Sequence, residues 1–171
     1  MTAQPPAEGL TVTWIGHATV LVQMDNVSVL TDPMFSVCCS PVRVPGVAMR
    51  YRRAACNVDD LPHIDAVVIS HNHFDHLDHN SVVQLNRRFQ PHLCWFVPTG
   101  LRQWMHSAGC QRVVELGWWQ EHIFVKEGVS IKFACVPSQH WSKRGVLDDN
   151  KVSAVSQSRP TISIIFTGRH R

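Results

Sequence analysis

Ser70-His71-Asn72-His73-Phe74-Asp75-His76-Leu77-Asp78-His79 packs four imidazoles and two carboxylates into ten residues. Groups crowded this closely repel one another when the imidazoles are protonated, and a bound cation resolves that conflict. A polar surface turn accounts for any one of these histidines, but not for the whole cluster. Upstream, DAVVI (Asp65 to Ile69) is a β-branched run of the kind that forms a buried strand. Downstream, HNSVVQLNRRF spaces its apolar residues at helical intervals, so the cluster is predicted on a strand-to-helix turn, with Asp78 capping the helix. Alternation at the strand end would send Asn72 away from His71 and His73. Those two imidazoles could then converge on one ion while Asp75 and His76 face a second. Neutral imidazole suits zinc, and a carboxylate suits zinc, manganese or iron nearly as well.

The chain of 171 residues is long enough for one domain with a sizeable core, and 44% hydrophobic with 17% charged residues is a globular composition. A formal charge of +3 is too mild to indicate a nucleic-acid partner, yet it does not oppose an anionic substrate or membrane surface. The six cysteines form no CxxC pair and no apolar signal segment precedes them. The expectation is therefore free thiols and an intracellular setting, cytoplasmic or peripherally membrane-associated. No apolar run approaches the ~20 residues that span a bilayer, so membrane contact is expected to be peripheral.

Residues 1–10, with Pro5 and Pro6, read as a loose lead-in to a domain over 11–151. Thr11 to Leu30 reads as a meander: TVTWI, a Gly16-His17 turn, ATVLVQM with Ala18, Val20 and Val22 on one face, an Asp25-Asn26 turn, and VSVLT. Pro33 stops the last strand and leaves Asp32 at its tip. Asp32 could orient a metal-ligating histidine from outside the coordination sphere, or simply form an Asx-type turn; His17 is assigned the same outer role. Phe35 to Pro62 is a long irregular stretch carrying Arg50, Arg52 and Arg53. These guanidiniums could receive a phosphate, or form a solvated charge run.

On the predicted helix after the cluster, Val82, Leu85 and Phe89 form a core stripe while Arg87 and Arg88 face out. Strand Cys94 to Val97 leads to a second helix that starts at Pro98-Thr99, carries Leu101, Trp104, Met105 and Ala108, and ends at Gly109. Arg112 to Leu116 and Val129 to Val136 read as further strands, separated by a turn at Gly117-Trp118-Trp119-Gln120. Of the adjacent tryptophans, one can be core and the other exposed, although burial is the simpler expectation for both. His140 follows directly after the last of these strands. A third imidazole there would complete a His71, His73, His140 set with a fourth position open to a water that ionises near neutral pH.

WIGHATVLVQMD, LTDP, RYRR, LPHIDAVVISHNHFDHLDHNSV, CWFVPTGL, PSQHWSKR and DDNK together resemble the N-acylphosphatidylethanolamine-hydrolysing phospholipase D family, a branch of the metallo-β-lactamase fold. The resemblance runs from about Val12 to Lys151. It implies an α/β fold, the αββα sandwich, of which mainly the N-terminal half is present. It also implies two zinc ions, one held by His71, His73 and His140 and the other by Asp75 and His76, which are also the catalytic pair. The implied reaction is hydrolysis of an N-acylated ethanolamine phospholipid, at a membrane surface, to N-acylethanolamine and phosphatidic acid. A homo-oligomer is an allowed arrangement.

The pattern departs from the family after Lys151, where a GDTG-type turn and a later histidine ligand are not found. Residues 152–171 read instead as a polar and basic tail with a possible strand over Thr161 to Phe166, and His170 is a conceivable but solvated stand-in ligand. A truncated form is the expectation, with an incomplete second zinc site and an apolar sheet face left open to water. Two other readings stay open. One is a non-catalytic zinc-binding regulator, and the other is a metallo-β-lactamase fold hydrolase of a different ester, lactone or phosphodiester.

Overall fold

The computed structural model describes residues 4–6, 8–39, 49–138 and 159–164. Alternating apolar residues near the start form an antiparallel meander of β1 (Leu10–Gly16), β2 (Thr19–Met24) and β3 (Val27–Thr31). Its second turn is Asp25-Asn26, with φ of 45° and 62°. Short polar side chains tolerate that left-handed region, which a two-residue hairpin needs.

After β3 the order becomes parallel. β4 (Ala66–Val68), β5 (Cys94–Pro98) and β6 (Val113–Leu116) complete a six-stranded sheet in the order β1-β2-β3-β4-β5-β6. Helix α1 (His79–Phe89) crosses from β4 to β5, and α2 (Arg102–Ser107) from β5 to β6. Asp78 caps α1 by accepting from the Ser81 amide at 3.1 Å, and Val82, Leu85 and Phe89 are buried. Arg87 and Arg88 are exposed as expected, but Arg88 is also engaged. Its guanidinium donates to the Val58 and Leu61 carbonyls and fastens the 3-10 turn Val58–Asp60 to the helix. Helix α2 starts later than expected, because Pro98 stays in β5 and Gly100 turns the chain with φ of 98°.

At the Gly117–Gln120 turn the Trp119 amide donates to the Cys135 carbonyl at 2.7 Å; Trp118 is half-buried and Trp119 is 73% exposed. The next strand, β7 (Glu121–Lys126), was not expected from sequence. It pairs with β8 (Val129–Ser138), whose other edge takes β9 (Arg159–Ile164). This last strand begins two residues before the expected Thr161 and ends at Ile164.

Two cores result. Leu21, Leu30, Val67, Leu85 and Trp95 fill the space between the six-stranded sheet and the helices. Val29, Val68, Phe96, Ile131 and Phe133 fill the space between the two sheets, with Phe96 stacked on Phe133 at 3.8 Å. The layers are therefore α/β/β, and among the described residues the helices lie on one side only. The β7–β8 hairpin covers the second face of the six-stranded sheet, so the open apolar sheet face expected from sequence does not fall there. Apolar exposure falls on Ile123 and Val125 of β7 and on Leu10, Val12 and Trp14 of β1 instead.

Asp65, buried just ahead of β4, ties the layers together. It accepts from the Ser28 amide at 2.8 Å and from Lys126 Nζ of β7 at 2.8 Å, with His63 Nε2 at 3.2 Å. All six cysteines are free. Burial pushes the Cys110 thiol up to about 12 and the Cys135 thiol up to about 11, so both are inert core groups. No helix of the described residues is long and apolar enough to cross a membrane.

Candidate metal centre

Because β3 and β4 run parallel, with Thr31 opposite Val68, the loops that leave them emerge side by side. Asp32 follows β3 with φ of 36°, and its amide donates to the Val68 carbonyl at 2.9 Å. Its carboxylate is filled from the β4 loop: Oδ1 accepts from the Ser70 amide and Oδ2 from Ser70 Oγ, both at 2.7 Å. His76 Nδ1 lies 2.9 Å from the same Oδ2. A carboxylate can only accept, so Nδ1 carries the proton and the lone pair of His76 is on Nε2.

That second nitrogen lies 3.6 Å from Asp75 Oδ2, which is also 2.9 Å from His17 Nε2. His17 adopts φ of 53° in the β1–β2 turn, where Trp14 Nε1 donates to its carbonyl at 2.9 Å. One ligand-capable atom each from His17, Asp75 and His76 lies within 4.8 Å of the others. His17, given an outer position by the sequence, has its Nε2 beside the Asp75 carboxylate. The only signal for this was a histidine after glycine at a strand end, which does not say where the turn will point.

His71 Nε2 lies 2.9 Å from His73 Nδ1, and the His71 ring is 4.1 Å from that of His76, so the four imidazoles form a contiguous row. Strand alternation is not what brings His71 and His73 together, because β4 ends at Val68. They converge in the loop, where the Leu77 amide donates to the His73 carbonyl at 2.8 Å and turns the chain before α1. His140 and His170 lie outside the described residues.

Burial acts to raise the Asp75 pKa, but the neighbouring His76 charge, its own backbone amide and His17 outweigh that and hold it below the ordinary carboxylate range. Burial likewise acts to lower His76, and the hydrogen bond and charge of Asp32, with the charge of Asp75, raise it instead. An ionised carboxylate beside an imidazole anchored through Nδ1, whose Nε2 lone pair is free in the neutral ring, is a donor set that fits a divalent cation.

A cleft of ≈ 670 Å³ opens beside the cluster, and its lining includes His17 and Asp75 together with Arg50, Arg52 and Arg53. The arginine run is thereby brought to the same opening as His17 and the Asp75 carboxylate.

A mixed sheet whose parallel strand ends carry such a cluster, backed by a second β layer, defines a metallo-β-lactamase type of fold. Residues 28–171 match the beta-lactamase superfamily domain, and the chain belongs to that superfamily. It is 41% identical over 147 residues to N-acyl-phosphatidylethanolamine-hydrolyzing phospholipase D 1 of Caenorhabditis elegans, covering 83% of this chain and 41% of that protein. The mitochondrial N-acyl-phosphatidylethanolamine-hydrolyzing phospholipase D of Saccharomyces cerevisiae is 32% identical, over 81% of this chain and 29% of its own length. The chain thus spans less than half of these relatives. Among solved structures, a possible metal-dependent hydrolase from Veillonella parvula aligns with a TM-score of 0.60 at 20% identity, over 91% of this chain and 59% of that one. That likeness is one of fold.

Proposed function

We propose that this chain is a zinc-dependent phosphodiester hydrolase of the N-acylphosphatidylethanolamine phospholipase D type, working at the periphery of a membrane. The observation that carries the proposal is the junction of His17, Asp75 and His76 with the arginine-lined cleft. The names of the two phospholipase D relatives support the substrate. His71 and His73 would hold one zinc, with His140 as their expected third partner, and Asp75 and His76 the other, with His17 beside them. When bound, zinc supplies a water that ionises near neutral pH and positive charge for a phosphoryl oxygen.

The chain's own residues supply orientation and charge. Asp32 keeps the His76 Nδ1 proton in place and so keeps the Nε2 lone pair facing Asp75. Asp75 stays ionised because His76 and His17 flank it, which leaves its carboxylate able to act as ligand and proton acceptor. In the net reaction the oxygen of water joins phosphorus, the bond from phosphorus to the ethanolamine oxygen breaks, and that oxygen takes a proton.

A second reading is a zinc-binding chain without turnover, since among the described residues the candidate site draws only His17, Asp75 and His76 together. One experiment separates the two. Zinc per folded chain is measured together with release of N-acylethanolamine, for the wild type and for His73→Ala. Zinc uptake with product release supports the hydrolase, and loss of both in the variant ties them to the same centre. Zinc held without product, beside a full-length relative that is active, supports the second reading. A parallel panel of soluble esters, lactones and phosphodiesters would expose a different hydrolase.

A further inference from the structure

We propose that the arginine run divides its labour: Arg52 and Arg53 form a subsite for an anionic phosphodiester at the cleft mouth, whereas Arg50 is a structural clamp. This rests on the phosphodiesterase reading for its biological meaning, but its geometry stands alone. Arg50 is half-buried, and its guanidinium donates to the Met34 carbonyl while its backbone amide donates to Val37 at 2.9 Å. A Cβ on Gly16 would lie 2.8 Å from Arg50 Nη2, so the guanidinium is pressed against the β1–β2 turn that carries His17. One of its five donors is committed in this way and the group is held in place by the packing against Gly16, so it is less free than Arg52 and Arg53 to follow a ligand.

Arg52 and Arg53 line the same cleft but are exposed, and none of the ion pairs among the described residues includes an arginine. The one carboxylate in the cleft lining is Asp75, already flanked by His17 and His76. The remaining charge of the lining is therefore positive, and guanidinium donors match phosphoryl oxygens in bidentate geometry. Trp14 at 68% exposure and Tyr51 at 96% stand at the same opening and offer apolar surface to the diester's substituents. The chemistry recognised is thus a phosphodiester monoanion bearing an apolar group, from a lipid headgroup or from a soluble ester.

The test is calorimetric titration of the whole chain, without added metal, with dibutyl phosphate and with its uncharged triester, tributyl phosphate. The double variant R52Q/R53Q is expected to bind dibutyl phosphate roughly tenfold or more weakly, with the triester unaffected. R50Q is expected to unfold at lower temperature, with dibutyl phosphate affinity of the folded protein within about twofold of wild type. Unchanged dibutyl phosphate affinity in R52Q/R53Q overturns the subsite, as does its loss in R50Q with an unchanged unfolding midpoint. Sedimentation with phosphatidylcholine vesicles, with and without N-acylphosphatidylethanolamine, separates the two sources, since only a lipid ligand makes arginine-dependent sedimentation follow the doped vesicles. Failure of the function reading looks different. Zinc-loaded wild type that hydrolyses no N-acylphosphatidylethanolamine, together with the dibutyl phosphate loss in R52Q/R53Q, removes the hydrolase and leaves the subsite standing.

Discussion

The two ends of β4 are built from the same residue types, yet they differ in what is left for chemistry. At the entry, Asp65 is buried and held by the Ser28 amide, Lys126 and His63, and it is not among the residues lining the arginine cleft. At the exit, Asp32 is held in the same way by Ser70 and His76, but the next carboxylate along, Asp75, is 38% exposed and faces the cleft. A buried Asp with a basic partner is thus a staple at one end and a scaffold for an open ligand at the other. What separates them is whether the fold leaves a second carboxylate at the surface of a cavity.

The contrast breaks first if Asp65 proves dispensable. Asp65→Ala takes the acceptor from the buried Ser28 amide and leaves the half-buried Lys126 only the Asn26 carbonyl, and is expected to cost about 2–3 kcal/mol of stability. Denaturant unfolding reads the loss, and zinc uptake by the remaining folded protein should not change. A cost below about 1 kcal/mol would mean that the staple is ornamental.

At the exit end the expected losses appear in metal binding rather than in folding. Asp32→Asn tolerates the left-handed backbone but weakens the hold on His76, and a fall of about 10- to 100-fold in zinc affinity is expected from competition with a chromogenic chelator. An unaltered affinity would show that His76 needs no orienting partner.

The smallest effect belongs to Asp75→Asn in metal-free protein, where a half-exposed pair contributes about 0–1 kcal/mol. Its sign with pH is fixed. The native pKa of Asp75 lies below the ordinary 3.8, so its contribution is present above that value and is lost as pH falls through the lowered native pKa. The variant's acid unfolding curve should lack that component; identical curves for the two proteins would place Asp75 outside the charged network.

Much of this architecture can be read locally. The strand, cluster and capped helix around Ser70 to His79 follow from β-branched residues, helical spacing and Asp78, and the meander follows from alternation and Asp25-Asn26. The rest depends on partners distant in the chain. The β7 stretch EHIFVK has only three apolar residues, and besides its pairing with β8 it is tied to the first sheet by Lys126 reaching Asp65, a contact no local pattern reveals. Arg88 looks like any solvent-facing helix residue until the Val58 and Leu61 carbonyls arrive beneath it. The placement of His17 depends on a positive-φ turn whose direction is set by the arginine loop packed against Gly16.

The rung shared by β3 and β4 carries one more consequence. Asp32 meets Ser70 and His76 only because Thr31 stands opposite Val68, and a slip of one residue between these strands would turn the whole set of side chains to the other face. Chains with the strands misaligned would not assemble this donor set, so a cation bound by it would stabilise aligned chains in proportion to the logarithm of its free concentration. A divalent ion in the cellular milieu would act as a proofreader of strand alignment, enriching the correctly threaded sheet before any substrate is met.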